Sequence, residues 1–417
     1  MTRLRQPAIV LGLVALALRL AWAIAANVQH GSHLQYPDEE LHWQIATHLA
    51  RDGEFRTDDG RQAARMPLYP LLLAPLAALG ASGVAFARVA QALLSALAVA
   101  VGVRLADGAL GRRAAWLAGV LLAFDPYSIF FSALLLTETP FVLAALLLIA
   151  LGWRLWVAGA SKDETEPSRN LSLLVGLAAA ATLMIRQSAV GWIALFLLVI
   201  ALAHRDKWLG LSRFVGQALI VALAMAPWGL RNMAVVGEFA WLSANGGVTL
   251  YDAQGPQADG SSDQSFLAAM PELHDLTEME QDALLSRYAL DAMKADKARV
   301  ALLAWKKLAR MWNPAPNAEG HNAGLTAWVS SIYTLVVVAL ALAGWASAER
   351  RRAAPGGEPA LAAVRFLLLP VLLFTLLHCL YIGSVRYRVP LMPMLAVAGA
   401  AVATRASVTA PAHSRHR

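Results

Sequence analysis

Apolar runs of 16 to 24 residues recur along the whole of this chain, and they decide what it can fold into. Each is long enough, or nearly so, to cross the roughly 30 Å hydrocarbon core of a bilayer as a helix. Inside that core the backbone finds no water, so it must bond to itself. Composition agrees: 58% of the 417 residues are hydrophobic and 15% are charged, against roughly half and a quarter in soluble domains. The expected class is an all-α polytopic membrane protein, a single membrane domain over 1–417 with extramembrane insertions. Ten spans are predicted, at about 7–28, 84–105, 114–132, 136–157, 171–186, 188–204, 212–229, 324–346, 364–384 and 389–404.

The opening "MTRLRQPAIVLGLVALALRLAWAIAANV" has the basic head and apolar stretch of a signal peptide. Its apolar part runs about twenty residues and contains Arg19, so it reads as a retained first span. "PLYPLLLAPLAALG" (67–80) is short and broken by three prolines, which suits an interfacial or re-entrant segment. The single cysteine, Cys379, rules out a disulfide or a cysteine metal site within the chain.

With a cytoplasmic N-terminus, six short pieces fall on the cytoplasmic side: "MTRLRQ", "RLADGALGRR", "RLWVAGASKDETEPSR", "HRDKWLGLSR", "ERRRAAPGGEPALAAVR" and the tail. They hold 18 of the 35 Lys and Arg residues, as the positive-inside rule requires. The net charge of +7 is mostly this girdle and gives no reason to expect a nucleic-acid partner. The other face carries two long loops, 29–66 and 231–323. The second begins with a glycine-rich stretch, "SANGGVTLYDAQGPQADGSSD", which reads as irregular. A capping box, Thr277 to Glu280, then opens a helical segment whose apolar residues Leu302, Trp305, Leu308, Ala309 and Trp312 alternate with Lys306, Lys307 and Arg310. That pattern suits a helix lying on a membrane surface.

Three consecutive acids stand in "YPDEELHW" (36–43), directly after the first span. A helix over 38–52, with Pro37 in its first turn, puts Asp38 on the side of Leu41, His42, Ile45 and Leu49. Glu39 falls at the edge of that face and Glu40 points away from it. Acids in a first turn complement the helix dipole. That reading suits Glu40 but does not explain an acid on the apolar face, so for Asp38 a functional reading stands beside it.

Further polar residues collect at the same face of this topology. Glu138 in "TETPF" and Asp125 in "FDPYS" flank the start of the fourth span, and Arg186 caps the fifth. Arg231 and Asn232 end the seventh. Arg386, Tyr387 and Arg388 form the turn "RYRVP", and Arg65 and Tyr69 bracket the start of "PLYP". Each arginine alone reads as a snorkelling or capping residue. Together they describe carboxylates meeting several guanidiniums beside apolar grooves, which suits an anionic lipid head group, phosphate above all. A carboxylate in such a cavity suits a general base.

"DEELHWQIATHLARDG" followed by "RMPLYPLLLAP" resembles the opening of bacterial protein-O-mannosyltransferase-like and aminoarabinose-transferase-like membrane glycosyltransferases. The likeness continues in order through "TETPF", "APWGLRNMAVVGEFAWLSANGG", "WKKLARMWNP" and "RYRVPLMPML", and covers most of the chain. It implies the C-type glycosyltransferase fold and a polyprenyl-phosphate-linked sugar donor. It also implies inverting transfer to an acceptor glycan, lipid or protein at the outer face of the bacterial cytoplasmic membrane. By match to the motif, Asp38 looks like the acid that deprotonates the acceptor, Glu39 its companion, and Glu138 a second acid of the same site. Arg65 stands one residue further from its proline than the basic residue of aminoarabinose transferases, and His42 stands where many relatives have tyrosine. The likeness leaves room for a divalent metal, but the sequence offers no HExxH and no close His/carboxylate pair whose spacing marks a ligand set. A lipid-linked sugar transporter or flippase would instead show charges in mid-span and inverted repeats. An O-antigen-ligase-like enzyme would share the donor class and differ in the base.

Overall fold

In the computed structural model, residues 6–160, 167–317, 323–354 and 357–404 are described. Four of the basic pieces expected on the cytoplasmic side fall wholly or partly outside them, at 1–5, 161–166, 355–356 and 405–417. Most of the described residues are helical, with no strand among them. Among the described residues, six helices are long and apolar enough to cross a membrane: α1 (Gln6–His30), α4 (Gly83–Leu110), α7 (Glu138–Ala160), α10 (Lys207–Val236), α15 (Gly324–Arg350) and α16 (Gly357–Leu380). The intervening pieces are shorter. They include α2 (Pro37–Asp52), α3 (Leu68–Ala77), α5 (Arg112–Ala123), α6 (Pro126–Phe131), α8 (Pro167–Ile185) and α9 (Ala189–Ala203). Leu219 and Leu223 of α10 and Leu335 and Leu342 of α15 stand exposed, a surface that lipid rather than water would cover.

Two of the ten expected spans are not continuous rods. The segment 114–132 is cut into α5 and α6 at Asp125–Pro126, because proline has no N–H to give and its ring clashes with the preceding turn. Asp125 caps the new start, accepting from Tyr127 N at 3.0 Å. The orphaned carbonyls at the end of α5 are met by Arg19, which donates to Leu122 O at 3.1 Å and Ala123 O at 3.0 Å, and to Ser95 Oγ at 2.7 Å. The charge in the first span is therefore a helix cap, the use to which a buried guanidinium is well suited. The segment 389–404 is likewise broken, into 3₁₀ turns around a short helix over 392–399, with Pro390 and Pro393 at its start. It is buried nearly throughout. Its small residues admit α15 closely: a Cβ at Gly344 would lie 2.4 Å from Ala398 O.

The long segment after α10 also differs from its sequence reading. α10 continues to Val236, where Gly237 at φ +87° ends it. Only part of the glycine-rich stretch is irregular: residues Gly246–Gln254 form α11, and 255–265 then runs without helix or strand to the short α12 (Phe266–Ala269). At Gly247 a Cβ would meet Asp282 O at 1.8 Å, so the glycine serves close packing against α13 (Glu278–Ala295). The Thr277 capping box is present, with Glu280 Oε2 accepting from Thr277 N at 2.8 Å. The single helix expected beyond it is two, because Asp296 interrupts and caps α14 (Lys297–Met311). α14 leaves Leu302 and Trp305 exposed and buries Leu303, Lys307 and Met311. Lys307 Nζ donates to Leu380 O at 2.9 Å, closing the C-terminus of α16.

Candidate active site

The helix α2 begins as its sequence demands, with Tyr36 extended, Pro37 in the first turn and three acids behind it. The acids separate. Glu40 is exposed. Glu39 is buried, and its carboxylate accepts from the backbone N–H groups of Gln35 (2.9 Å), Tyr36 (3.2 Å) and Leu135 (2.7 Å). Those bonds fasten α2 to the segment before α7 and leave Glu39 a structural bridge, not a companion of Asp38 in the cluster.

Asp38 faces inward and meets two arginines. Its Oδ1 accepts from Arg65 Nη2 at 2.9 Å and its Oδ2 from Arg386 Nη1 at 2.6 Å. Arg386 also donates through Nε and Nη2 to the carboxylate of Glu138, the first residue of α7. Glu138 Oε1 accepts in addition from Arg186 Nη2 at 2.9 Å. Arg65, Asp38, Arg386, Glu138 and Arg186 thus form one ionic chain drawn from five separate parts of the sequence. Arg186 lies over the rings of Phe141 (5.4 Å) and Tyr387 (5.3 Å), and Tyr387 stacks on His378 at 4.3 Å. Buried atoms around this chain without a hydrogen-bond partner among the described residues include Arg186 Nη1, His42 Nδ1 and His378 Nε2.

Electrostatics follow from the packing. Burial alone would raise the Asp38 carboxyl, but the guanidinium of Arg386, and then that of Arg65, hold it well below the ordinary carboxylate range. His42, one turn on from Asp38, is pushed down to about 3 by burial, with Arg65 and Arg386 repelling its charged form. It is therefore neutral at neutral pH, its ring edge-on to Tyr69 at 5.0 Å. An unfolded histidine titrates near 6.5. Between that value and about 3, the unfolded chain binds a proton that the folded one refuses, so stability falls as pH drops through this window. Melting curves at pH 7.5 and pH 5 should show that His42→Gln loses less stability on acidification than the wild type.

Three other expected site residues are engaged elsewhere. Arg231 donates to Phe55 O (2.7 Å) and Gln62 O (2.5 Å), pinning the end of α10 to the segment after α2. Asn232 Nδ2 donates to Ala240 O at 3.0 Å. Arg388 is wholly buried and donates to Asn313 O (2.6 Å) and Tyr127 Oη (2.9 Å). With Glu39, these groups spend their hydrogen bonds on backbone and neighbours, which is why they do not join the cluster. His378 was not singled out from the sequence, although a lone histidine in "LLHCLY" is the signal that could have found it. Gln91 was also missed. Its Nε2 donates to Tyr69 Oη and to Leu134 O and Leu136 O, setting the approach to Glu138. Among the described residues, no group of three or more His, Cys, Asp or Glu side chains converges to hold a metal. Both cluster acids accept from arginines instead.

The family model of the Alg9-like mannosyltransferases matches residues 15–230, just over half of the chain. The chain belongs to the Alg9-like mannosyltransferase family. Asp38, Arg65, Glu138 and Arg186 lie inside the matched region, and Arg386 lies beyond it. Among solved structures, this family member is similar to the archaeal oligosaccharyltransferase AglB from Archaeoglobus fulgidus, determined with an inhibitory peptide and a dolichol-phosphate. The TM-score is 0.56 at 12% identity, covering 94% of this chain and 50% of that one. The chain thus spans half the length of AglB. It is also similar to ArnT from Cupriavidus metallidurans bound to undecaprenyl phosphate, with a TM-score of 0.46 and 16% identity over 95% of this chain and 77% of that one. No curated protein sequence matches it. The family and the AglB likeness bear out the C-type glycosyltransferase fold expected from the sequence.

Proposed function

We propose that this mannosyltransferase-family protein is an inverting glycosyltransferase. It moves a sugar from a polyprenyl-phosphate donor to an acceptor hydroxyl at the outer face of the bacterial cytoplasmic membrane. The observation that carries this reading is the ionic chain itself, in which three guanidiniums face two carboxylates and leave one positive charge uncompensated. A phosphodiester supplies the missing negative charge, and guanidinium forks fit its oxygens. AglB, whose fold this chain shares, was solved with a dolichol-phosphate, a lipid-linked phosphate of the same chemical class. Basic residues concentrated in the short connections on the other side of the spans support an outer location for the cluster.

In this reading Asp38 takes the proton of the acceptor hydroxyl as that oxygen attacks the anomeric carbon from the face opposite the phosphate. Arg65, Arg386 and Arg186 stabilise the charge that grows on the departing phosphate. His42, Tyr69 and Tyr387 pack around the cluster, with the neutral imidazole of His42 buried against Tyr69. The acceptor is a glycan, a lipid or a protein hydroxyl, and the sugar is a hexose or a pentose. Comparing the glycans and glycoproteins of cells with and without the protein by mass spectrometry identifies both, and no difference in either would count against a transferase. A reporter fused after Asn245 tests the orientation, since a cytoplasmic signal there would overturn the outer-face placement.

A further inference from the structure

Resting on that transferase reading, we propose that Arg65 and Arg386 latch Asp38 while no donor is bound. The donor phosphate frees this base by taking those guanidiniums, and Glu138 remains the fixed counter-charge of Arg386 and Arg186.

The two acids of the cluster are not equivalent. The Asp38 side chain is 35% exposed and that of Glu138 is not exposed at all. An acceptor can reach Asp38, yet both Asp38 oxygens already accept from a guanidinium, at 2.9 and 2.6 Å. Those oxygens are the atoms that must receive the acceptor's proton. A carboxylate gripped in this way attracts a proton weakly. Phosphate competes for the same groups on favourable terms, since it offers several oxygens to a planar fork.

Arg386 is built to exchange partners. Its Nη1 bonds Asp38, while its Nε and Nη2 bond Glu138. Handing Nη1 to a phosphate leaves the other edge on Glu138, so the guanidinium keeps its anchor and needs only a small turn. Arg186, held by the same glutamate, has its buried Nη1 without a partner. Glu138 is in this sense a positioning residue: it touches the arginines, not the substrate.

Charge conservation favours the same division of roles. A polyprenyl-phosphate sugar is a phosphodiester with one negative charge, and it neutralises the single excess charge of the cluster. In the transfer step the acceptor oxygen bonds the anomeric carbon, and the bond from that carbon to the phosphate oxygen breaks. Its electron pair stays on the phosphate, and the acceptor proton passes to Asp38. The phosphate gains one negative charge as Asp38 loses one, so the cluster stays neutral throughout. Arg386 lies on the path along which that charge moves. Glu138 could not exchange charge in this way without leaving a guanidinium pair unmatched in a buried site.

The test uses the full chain in nanodiscs and a long-chain polyprenyl phosphate without sugar, so that the identity of the sugar does not matter. Asp38→Asn removes the competitor for both guanidiniums and should bind this lipid about tenfold more tightly than the wild type, the scale of a charge-assisted hydrogen bond. Glu138→Gln, which loosens Arg386 and Arg186, should bind it more weakly. Equal or weaker binding by Asp38→Asn overturns the latch. A structure of the wild type with the lipid bound gives a readout that needs no variant: Arg386 should keep Glu138 and release Asp38. Bonds from Asp38 to both arginines in that complex would overturn the latch and leave the donor reading standing. A wild type that neither binds the lipid nor transfers sugar overturns the donor reading, and the latch with it.

Discussion

Asp38→Asn should fold as the wild type does and lose sugar transfer by about 10²–10⁴-fold, the usual contribution of a positioned general base. The amide keeps the size and one acceptor oxygen of the carboxylate but cannot hold the acceptor's proton. The side chain is partly exposed, at the first turn of a helix whose hold on the protein comes from other residues. Glu39 keeps its three backbone bonds in this variant, so α2 stays docked against the segment before α7. The loss should therefore appear in turnover at saturating donor, in a protein that still folds but melts somewhat lower because the ion pairs of Asp38 to Arg65 and Arg386 are gone. A folded Asp38→Asn protein that transfers sugar at the wild-type rate would remove Asp38 from the mechanism.

Arg386→Ala should fail in two separable ways. Glu138 is fully buried, and without Arg386 it keeps Arg186 as its sole ion-pair partner. Removing one member of a buried ionic group costs about 3–5 kcal/mol, because the remaining charge is left poorly compensated. The variant should also lose most of its affinity for a polyprenyl phosphate. Adding Glu138→Gln should return part of the stability, since an amide needs no counter-charge although Arg186 then loses its carboxylate partner, but should not return lipid binding. This double-mutant cycle separates the structural use of Arg386 from its use toward phosphate. If the double variant melts as low as Arg386→Ala alone, relief of the Glu138 charge is not the source of the loss. Unchanged lipid affinity in Arg386→Ala would remove the arginine from the donor site.

The parts of the fold legible in the sequence are those governed by local rules. The length of the apolar runs anticipates α1, α4, α7, α10, α15 and α16, because a bilayer accepts only a self-bonded helix of about that length. The turn of α2 that separates Asp38 from Glu40 follows from 100° per residue alone. The misreadings were partly legible too. Pro126 cuts the third run and Pro390 and Pro393 break the last, and each stands in the sequence inside an otherwise apolar stretch. By local rules the glycines at 246–247 signal irregular backbone. In fact they mark a close approach to α13, a fact about a helix some 30 residues away.

By itself, the sequence determined the class of the protein, the helix that carries the acids and the set of side chains capable of phosphate chemistry. It could not rank the members of that set. Arg65, Arg186, Arg231, Arg386 and Arg388 look alike as arginines at the ends of apolar segments. Tertiary packing put Arg386 within 2.6 Å of an aspartate 348 positions earlier in the chain. The same packing spent Arg231 and Arg388 on backbone carbonyls. Hydrophobic period and helix propensity act over a few residues, whereas the partner of a guanidinium is set by whichever distant elements happen to share its end of the bundle. The cluster is therefore a property of the packing, while its chemistry was already written in the residues.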